Sequence, residues 1–394
     1  MSKQQTHIVD TPDLLRALLK ALVQHDMLSI DTEFHSENRY YPSLMLLQIG
    51  DMKGNAWLID PLAVQVEPLG QVLKHKTLLV HGGTEDIKLL YHHLGLRPKK
   101  VFDVQIASGL LGLSYPQRLS KIVEHFLDIA VSKDSALTDW SHRPLTPQQI
   151  EYAANDVQLL PKLFEKIHAQ LAELNRESWA WEASQEMVDQ SLRPKDAGKE
   201  WIYWPIAKAL DLPAQRVLTR LLIWREGEAL DRNKPLNYIL PRRTAISLAR
   251  SRPESIEELR SNRKVHRGLI KKHGLFLIDC IREAQYSEDG HLFPTEEQQI
   301  KTKLLRSWGL LIAHEHSIDR NLLISKELAQ QIIAKGVQVC HGWRASVLKQ
   351  KLSLFISGQE GIFIDPSASG GGELKSLSST IHSNEKTMHS LPSS

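Results

Sequence analysis

Cysteine is nearly absent from this 394-residue chain, with only Cys280 and Cys340 present. They stand apart, with no CxxC pair, so there is no basis for a disulfide framework or a cysteine zinc site. The expectation is a reduced, cytoplasmic protein. Long apolar runs are absent too: no stretch reaches the roughly 20 apolar residues a membrane-spanning helix needs. The N-terminus, MSKQQTHIVDTPDLLRALLKALVQHD, has its apolar residues broken up by Asp13, Arg16 and Lys20. It reads as an amphipathic helix and not as a signal peptide. No phosphate-binding G-x-x-x-x-G-K-[ST] loop is present, which excludes a P-loop nucleotide hydrolase.

What remains is a globular composition, 42% hydrophobic and 24% charged, sufficient for a sizeable core. The length favours two or three domains. Lys and Arg (49) nearly balance Asp and Glu (46), but unevenly along the chain. Residues 1–200 carry 21 basic and 26 acidic side chains, residues 201–290 carry 17 and 11, and the rest 11 and 9. An acidic first half beside a basic middle suggests metal-assisted chemistry next to polyanion binding, although charge blocks are also what solvated faces look like. Strands are predicted at 27–34, 44–50, 56–60, 78–80 and 101–103, with helices over 84–93 and behind 103. A long helix should start near Thr146-Pro147, with Thr146 as its N-cap. Strands followed by strand–helix alternation indicate an α/β domain with a mixed sheet. Residues 193–205 read as a linker. Helical spacing then runs from Leu210 to Gln285, and more weakly over 295–356. The last 30 residues hold nine Ser and the triplet Gly370-Gly371-Gly372, and disorder is expected there.

Three acidic elements stand out. In Ile30-Asp31-Thr32-Glu33-Phe34, strand alternation puts Asp31 and Glu33 on one face. Paired carboxylates on a sheet face repel and lose hydration unless a cation compensates, and hard divalent ions are bound through such acids. An edge strand showing two acids to water is the plain alternative. In His81-Gly82-Gly83-Thr84-Glu85-Asp86, a strand ends and a helix opens, placing Asp86 at the sheet's C-terminal edge. Acids in a first helical turn also serve the dipole, with Thr84 as cap. In Glu151-Tyr152-Ala153-Ala154-Asn155-Asp156, Tyr152 and Asp156 lie four apart on the rim of the stripe Ile150, Ala153, Ala154, Val157, Leu160, Phe164, Ile167. Asp103 reads as a helix N-cap. His35, His81, His92 and His93 lack metal-ligand spacing and are expected to be structural.

This ordered set resembles the DEDD superfamily of 3′→5′ exonucleases, in its tyrosine subgroup. Tyr152-x-x-x-Asp156 has the required spacing, and Glu151 stands where the histidine subgroup has His. IDTEF, YYPSLMLLQIG, HGGTEDIKLL, VFDVQIAS, LTDWSHRPLT and EYAANDVQLL are similar to the ribonuclease D family across residues 25–170. LIWREGEALDRNKPLNYIL, with Trp224, Arg225, Glu226, Arg232 and Pro235, resembles the HRDC helical module; Asn233 replaces a commoner Asp. With no helicase motifs, a RecQ-like enzyme is not implied.

The resemblance implies a ribonuclease H-like mixed sheet with flanking helices over 1–175, a linker over 176–209 and an HRDC domain over 210–290. A degenerate second HRDC-like unit over 291–360 and a tail from 361 complete it. It implies two divalent cations, Mg²⁺ or Mn²⁺. Asp31 would bridge them, Glu33 and Asp156 would bind the one that activates water, and Asp86 would hold the other. Tyr152 would orient the attacking water. The implied partner is RNA with a free single-stranded 3′ end, tRNA precursors among such RNAs, met by a monomer in the cytoplasm with no membrane. Around the acids, Thr32, Phe34, Trp140 and Arg143 are expected to contact the terminal nucleotides, with a place in the core as an equal alternative for Trp140. Residues 242–272, with ten basic and three acidic side chains, are expected to track phosphates through Arg242, Arg243, Arg263, Lys264 and Arg267. A DNA-directed exonuclease and a non-catalytic nucleic-acid-binding module remain the alternatives.

Overall fold

The computed structural model describes residues 4–130, 138–287, 294–359 and 361, and two short strands beyond. A six-stranded mixed sheet has the order β1-β4-β3-β2-β5-β6. Its strands are β1 (Thr6–Val9), β2 (Met27–His35), β3 (Ser43–Asp51), β4 (Ala56–Ile59), β5 (Thr77–Val80) and β6 (Lys100–Asp103). β2–β3 and β3–β4 pair antiparallel, while β1–β4, β2–β5 and β5–β6 are parallel. The mixed sheet is therefore as expected. The short edge strand β1, absent from the sequence reading, is added to it.

Helices α1 (Pro12–Leu22), α2 (Glu67–Leu73), α3 (Thr84–Leu94), α4 (Val104–Gly109), α5 (Leu119–Leu127), α6 (Pro147–Gln158), α7 (Leu160–Glu173) and α8 (Glu177–Ser191) belong to the sheet's surroundings. Asp103 caps α4, accepting from the N–H groups of Gln105 (2.8 Å) and Ile106 (3.3 Å), and also takes Gly82 and Gly83 N–H at 3.0 Å each. Thr84 is not the cap of α3; Gly83 occupies that position, and the turn is satisfied from Asp103 instead. Thr146 caps α6 in a reciprocal box with Gln149, with Pro147 in the first turn. The single long helix expected from there is two helices, α6 and α7, separated at Leu159. Pro161 is the reason: it lacks the N–H that would continue the ladder to Val157. Helix α8 falls where a linker is expected, yet it buries Ala180, Ala183 and Val188 against the sheet's core.

Two stretches of 3₁₀ helix (Ala197–Tyr203, Pro205–Ala209) lead into α9 (Leu212–Arg232), α10 (Leu236–Ile239), α11 (Arg242–Ser251), α12 (Ile256–Ser261) and α13 (Arg267–Gln285). These helices have their own core, built on Val217, Leu218, Leu221, Leu248, Leu277 and Ile281. Trp201 and Trp204, expected in a linker, are buried in that core. Then come α14 (Glu296–Glu315), α15 (Arg320–Leu323), α16 (Lys326–Lys335) and α17 (Gly342–Ile356). The sequence predicts a self-contained unit here. Instead Leu305, Trp308, Ile312, Leu323, Trp343 and Leu348 share one apolar cluster with the sheet and with α8. Helical periodicity shows which face is apolar, and not which partner covers it. In the tail, β7 (Phe363–Asp365) and β8 (Glu373–Lys375) pair antiparallel; the rest of the segment expected to be disordered lies outside the described residues.

Candidate active site

Strand β2 presents Asp31 and Glu33 from one face, and α6 lies across that face carrying Tyr152 and Asp156. Carboxylate oxygens of Asp31, Glu33 and Asp156 all fall within 4.8 Å of one another. Asp86, in the first turn of α3, is buried beside them and accepts a hydrogen bond from the Thr32 hydroxyl. α6 can approach closely because it turns Ala153 and Ala154 toward the sheet, both buried. The three elements read from the sequence thus converge on one place.

Four acids so placed hold their protons well above the ordinary carboxylate range. Asp31 is raised by burial first, then by repulsion from Asp86, Asp156 and Glu33. Burial, followed by Asp156 and Asp86, pushes Glu33 up to about 8. Asp156 rises to about 7, again through burial, with the Tyr152 hydrogen bond opposing the shift. Asp86 rises to about 6, burial outweighing the Thr32 hydroxyl that favours its charged form. The Tyr152 phenol is raised by burial, by the charges of Asp156, Glu33 and Asp31, and by its hydrogen bond to Asp156. It stays protonated at any physiological pH. Such a set fits hard divalent cations: the donors are all carboxylate oxygens, and a cation would offset the repulsion they suffer without one.

The expected substrate contacts divide. Phe34 is half-buried, next to Glu33 along β2 and just past a register shift between the two. Thr32 is buried and its hydroxyl is committed to Asp86, so it braces an acid and is not open to substrate. Trp140 is 3% exposed, packed with Leu46, Leu58 and Ala153, and its ring lies 6.0 Å from that of Tyr152. It is a wall behind the phenol and not a stacking surface. Arg143 is also structural. Its Nε and Nη2 donate to the Asp60 carboxylate (2.6 and 2.8 Å), Nη2 to Met45 O (2.7 Å), and Nη1 to Trp140 O (2.8 Å) and His142 O (2.9 Å). No donor is left over for a phosphate.

The basic residues lie on the second core. Arg242 is exposed and sits over the Trp204 indole, 4.1 Å from its centroid. Arg263 and Arg267 border a groove of about 1090 Å³, together with Arg260, Lys271, Lys272 and Phe276. Arg243 and Lys264 border a smaller cleft with Arg250 and Ile206. Three of the histidines singled out in the sequence are engaged in contacts of their own. His81 Nε2 meets Gln117 O at 2.9 Å, His93 Nε2 meets Pro42 O at 2.9 Å, and His92 stacks on Tyr41.

One contact has no signal in the sequence beyond the departure at Asn233. That residue ends α9 in the left-handed region (φ 44°), and its Oδ1 accepts from Tyr40 N–H and Tyr41 N–H, 3.1 Å each. The Tyr40 phenol donates to Glu226, and Tyr238 Oη donates to Asn38 Oδ1 at 2.5 Å. The turn joining β2 to β3 is therefore held by the second core.

Comparison with known proteins agrees with this geometry. A family model described as 3'-5' exonuclease matches residues 6–172, and one for the HRDC domain matches residues 214–281. A ribonuclease D from Pseudomonas paraeruginosa is 32% identical over 342 residues, covering 82% of this chain and 90% of the relative. A ribonuclease D from Zymomonas mobilis is 31% identical over 364 residues, 88% of this chain and 92% of that one. Among solved structures, Escherichia coli RNase D, described as an exoribonuclease involved in structured RNA processing, superposes with a TM-score of 0.78 at 25% identity. The match covers 90% of this chain and 99% of that one.

Proposed function

The chain belongs to the ribonuclease D family of 3′→5′ exoribonucleases, and from that premise we propose that it hydrolyses phosphodiester bonds at RNA 3′ ends with two divalent cations, releasing 5′-monophosphate nucleotides. The observation that carries the proposal is the cluster of Asp31, Glu33 and Asp156, whose carboxylate oxygens lie within 4.8 Å of one another.

Asp31, Glu33, Asp156 and, beside them, Asp86 are the residues that would hold the cations, Mg²⁺ or Mn²⁺. Such ions, when bound, neutralise charge on the phosphate and make an attacking water more acidic. The chain's own groups do the rest. The Tyr152 oxygen, one helical turn before Asp156 on α6, would accept a hydrogen bond from water and orient it. It is too weak an acid to ionise and act as the base. Thr32 keeps Asp86 turned inward, and Trp140 backs the Tyr152 ring. Phe34, half-buried and next to Glu33 along β2, suits stacking on the terminal base. Arg242, Arg243, Arg263, Lys264 and Arg267 are exposed and suit phosphate contacts farther along the strand. The substrate class we assign is RNA with a single-stranded 3′ end, tRNA precursors included, and the setting we assign is the cytoplasm. Separately, among the described residues no helix is long and apolar enough to cross a membrane.

A time course on 5′-labelled RNA with an unstructured 3′ end tests this, with Mg²⁺ and EDTA arms and a DNA strand of the same sequence. A Mg²⁺-dependent ladder shortening from the 3′ end, slower on DNA, is expected. Equal or faster loss of DNA would move the substrate to DNA. Intact strands in both Mg²⁺ and Mn²⁺ would leave a binding module.

A further inference from the structure

Ser29 sits two residues before Asp31, on the same face of β2, and is fully buried. Its hydroxyl donates to the carbonyl oxygen of Val157, 2.7 Å away, on the residue that follows Asp156. In an unbroken helix that carbonyl would accept the amide N–H four residues on. Here that residue is Pro161, which has no N–H. The serine thus supplies the donor that the helix lacks. Gly50 makes the approach possible. It lies opposite Ser29 in the β2–β3 register, where a Cβ would overlap Ser29 Oγ and come within 3.0 Å of Val157 O. Ser29, Gly50 and Pro161 come from three separate elements and act together in this one hydrogen bond.

We propose that the Ser29–Val157 bond is a clamp that sets the spacing between β2, which carries Asp31 and Glu33, and α6, which carries Tyr152 and Asp156. Ser29 is then a positioning residue for the cation site, and the inference rests on the catalytic reading above. The two elements need such a tie because the acids they bring together repel one another. Before a cation arrives, contacts behind the acids help to hold α6 down. The bond spans from the residue two before the first acid to the residue one after the last. Losing it leaves a buried carbonyl unpaired, which α6 can relieve only by moving off the sheet.

The test is calorimetric titration of Mn²⁺ into the full chain without RNA, alongside exonuclease rates at limiting and saturating Mn²⁺, for Ser29→Ala, Pro161→Ala and the double variant. Supports behind a metal site are worth about 10–100-fold in affinity or activity. Ser29→Ala should therefore bind Mn²⁺ at least about tenfold more weakly, with part of its rate regained at high Mn²⁺. In the double variant the Pro161→Ala change restores a backbone N–H four residues after Val157, and affinity should return to within about twofold of the native chain. Native affinity in Ser29→Ala would overturn the clamp. So would a double variant as weak as Ser29→Ala, because the loss would then not run through the Val157 carbonyl. Should Ser29→Ala fail to fold, Ser29→Cys, with a similar side chain and a weak donor, takes its place. Its affinity should lie below the native value by less than about tenfold, and native affinity there would likewise overturn the clamp. A native chain that bound no Mn²⁺ would overturn the catalytic reading itself and not the clamp alone.

Discussion

Replacing Arg143 with alanine separates two roles that the sequence leaves open, RNA grip and internal brace. The guanidinium makes a two-pronged pair with Asp60 and three further bonds to the carbonyls of Met45, Trp140 and His142. The Asp60 side chain is 9% exposed and that of Arg143 24%. Removing one partner of a buried pair costs about 3–5 kcal/mol, because the other charge is left unpaired. The residual exposure of Arg143 puts the expectation at the lower end, about 3 kcal/mol. At roughly 2–4 °C per kcal/mol, the midpoint of thermal unfolding should fall by about 6–12 °C. Asp60→Asn should cost less, since it leaves no buried charge on the aspartate side, and the two substitutions together should cost less than their sum.

The assay is paired: thermal or urea unfolding of the metal-free chain, and KM for a short single-stranded RNA measured well below the variant's midpoint. A brace predicts a lower midpoint, with KM changed by less than about threefold. An unchanged midpoint with KM raised about tenfold or more would refute the reasoning and return Arg143 to the RNA.

Tyr152→Phe removes the oxygen proposed to orient water and leaves the acids in place. It should lower kcat by about 100-fold or more, while calorimetry shows Mn²⁺ affinity within about threefold of native. The acids make stability depend on pH in a set direction. Their folded values, about 8, 7 and 6 for Glu33, Asp156 and Asp86, with Asp31 also raised, lie above the unfolded ones. The contribution of these groups is complete below about pH 4 and is lost as pH rises through about 6–8. In EDTA the unfolding midpoint of the native chain should therefore fall relative to Asp31→Asn over that window, and the increment given by Mn²⁺ should grow. For the basic groove, Arg263→Ala and Arg267→Ala should each reduce the slope of log affinity against log salt by about one, if each meets a phosphate. Filter binding to RNA across a salt series measures it.

What is legible in the sequence is what repeats along one element. Alternation puts Asp31 and Glu33 on one face, four-residue spacing pairs Tyr152 with Asp156, and local chemistry marks Thr146 and Asp103 as caps. What is not legible depends on contacts between distant residues. Arg143 and Asp60 are 83 positions apart, and nothing near Arg143 distinguishes an inward guanidinium from one aimed at phosphate. Trp140 next to a cluster of polar residues fits a stacking ring or a core position equally, and the fold decides for the core by covering it with Leu46, Leu58 and Ala153. The weak helical pattern of 295–356 gives no sign that Trp308 and Trp343 bury themselves against the sheet's core. Pro161 is visible, but an unbroken apolar stripe through it hides the break between α6 and α7.

The residues beside the acids whose roles the sequence does not show share a physical source. When charged, the acids repel one another, so contacts outside the cluster must help hold it together before a cation binds. The attraction has to come from behind, and the residues near the site are occupied in supplying it. Thr32 turns Asp86 inward, Ser29 ties β2 to α6, Arg143 joins the segment before α6 to the end of β4 through Asp60, and Trp140 fills the space behind Tyr152. Polar and aromatic residues beside an acidic site thus tend to be read from sequence as substrate contacts, when several of them hold like charges in place. That leaves Phe34 and the exposed arginines of the second core as the proposed contacts to RNA. The β2–β3 turn, held by Asn233 and Glu226 of that core, connects the two.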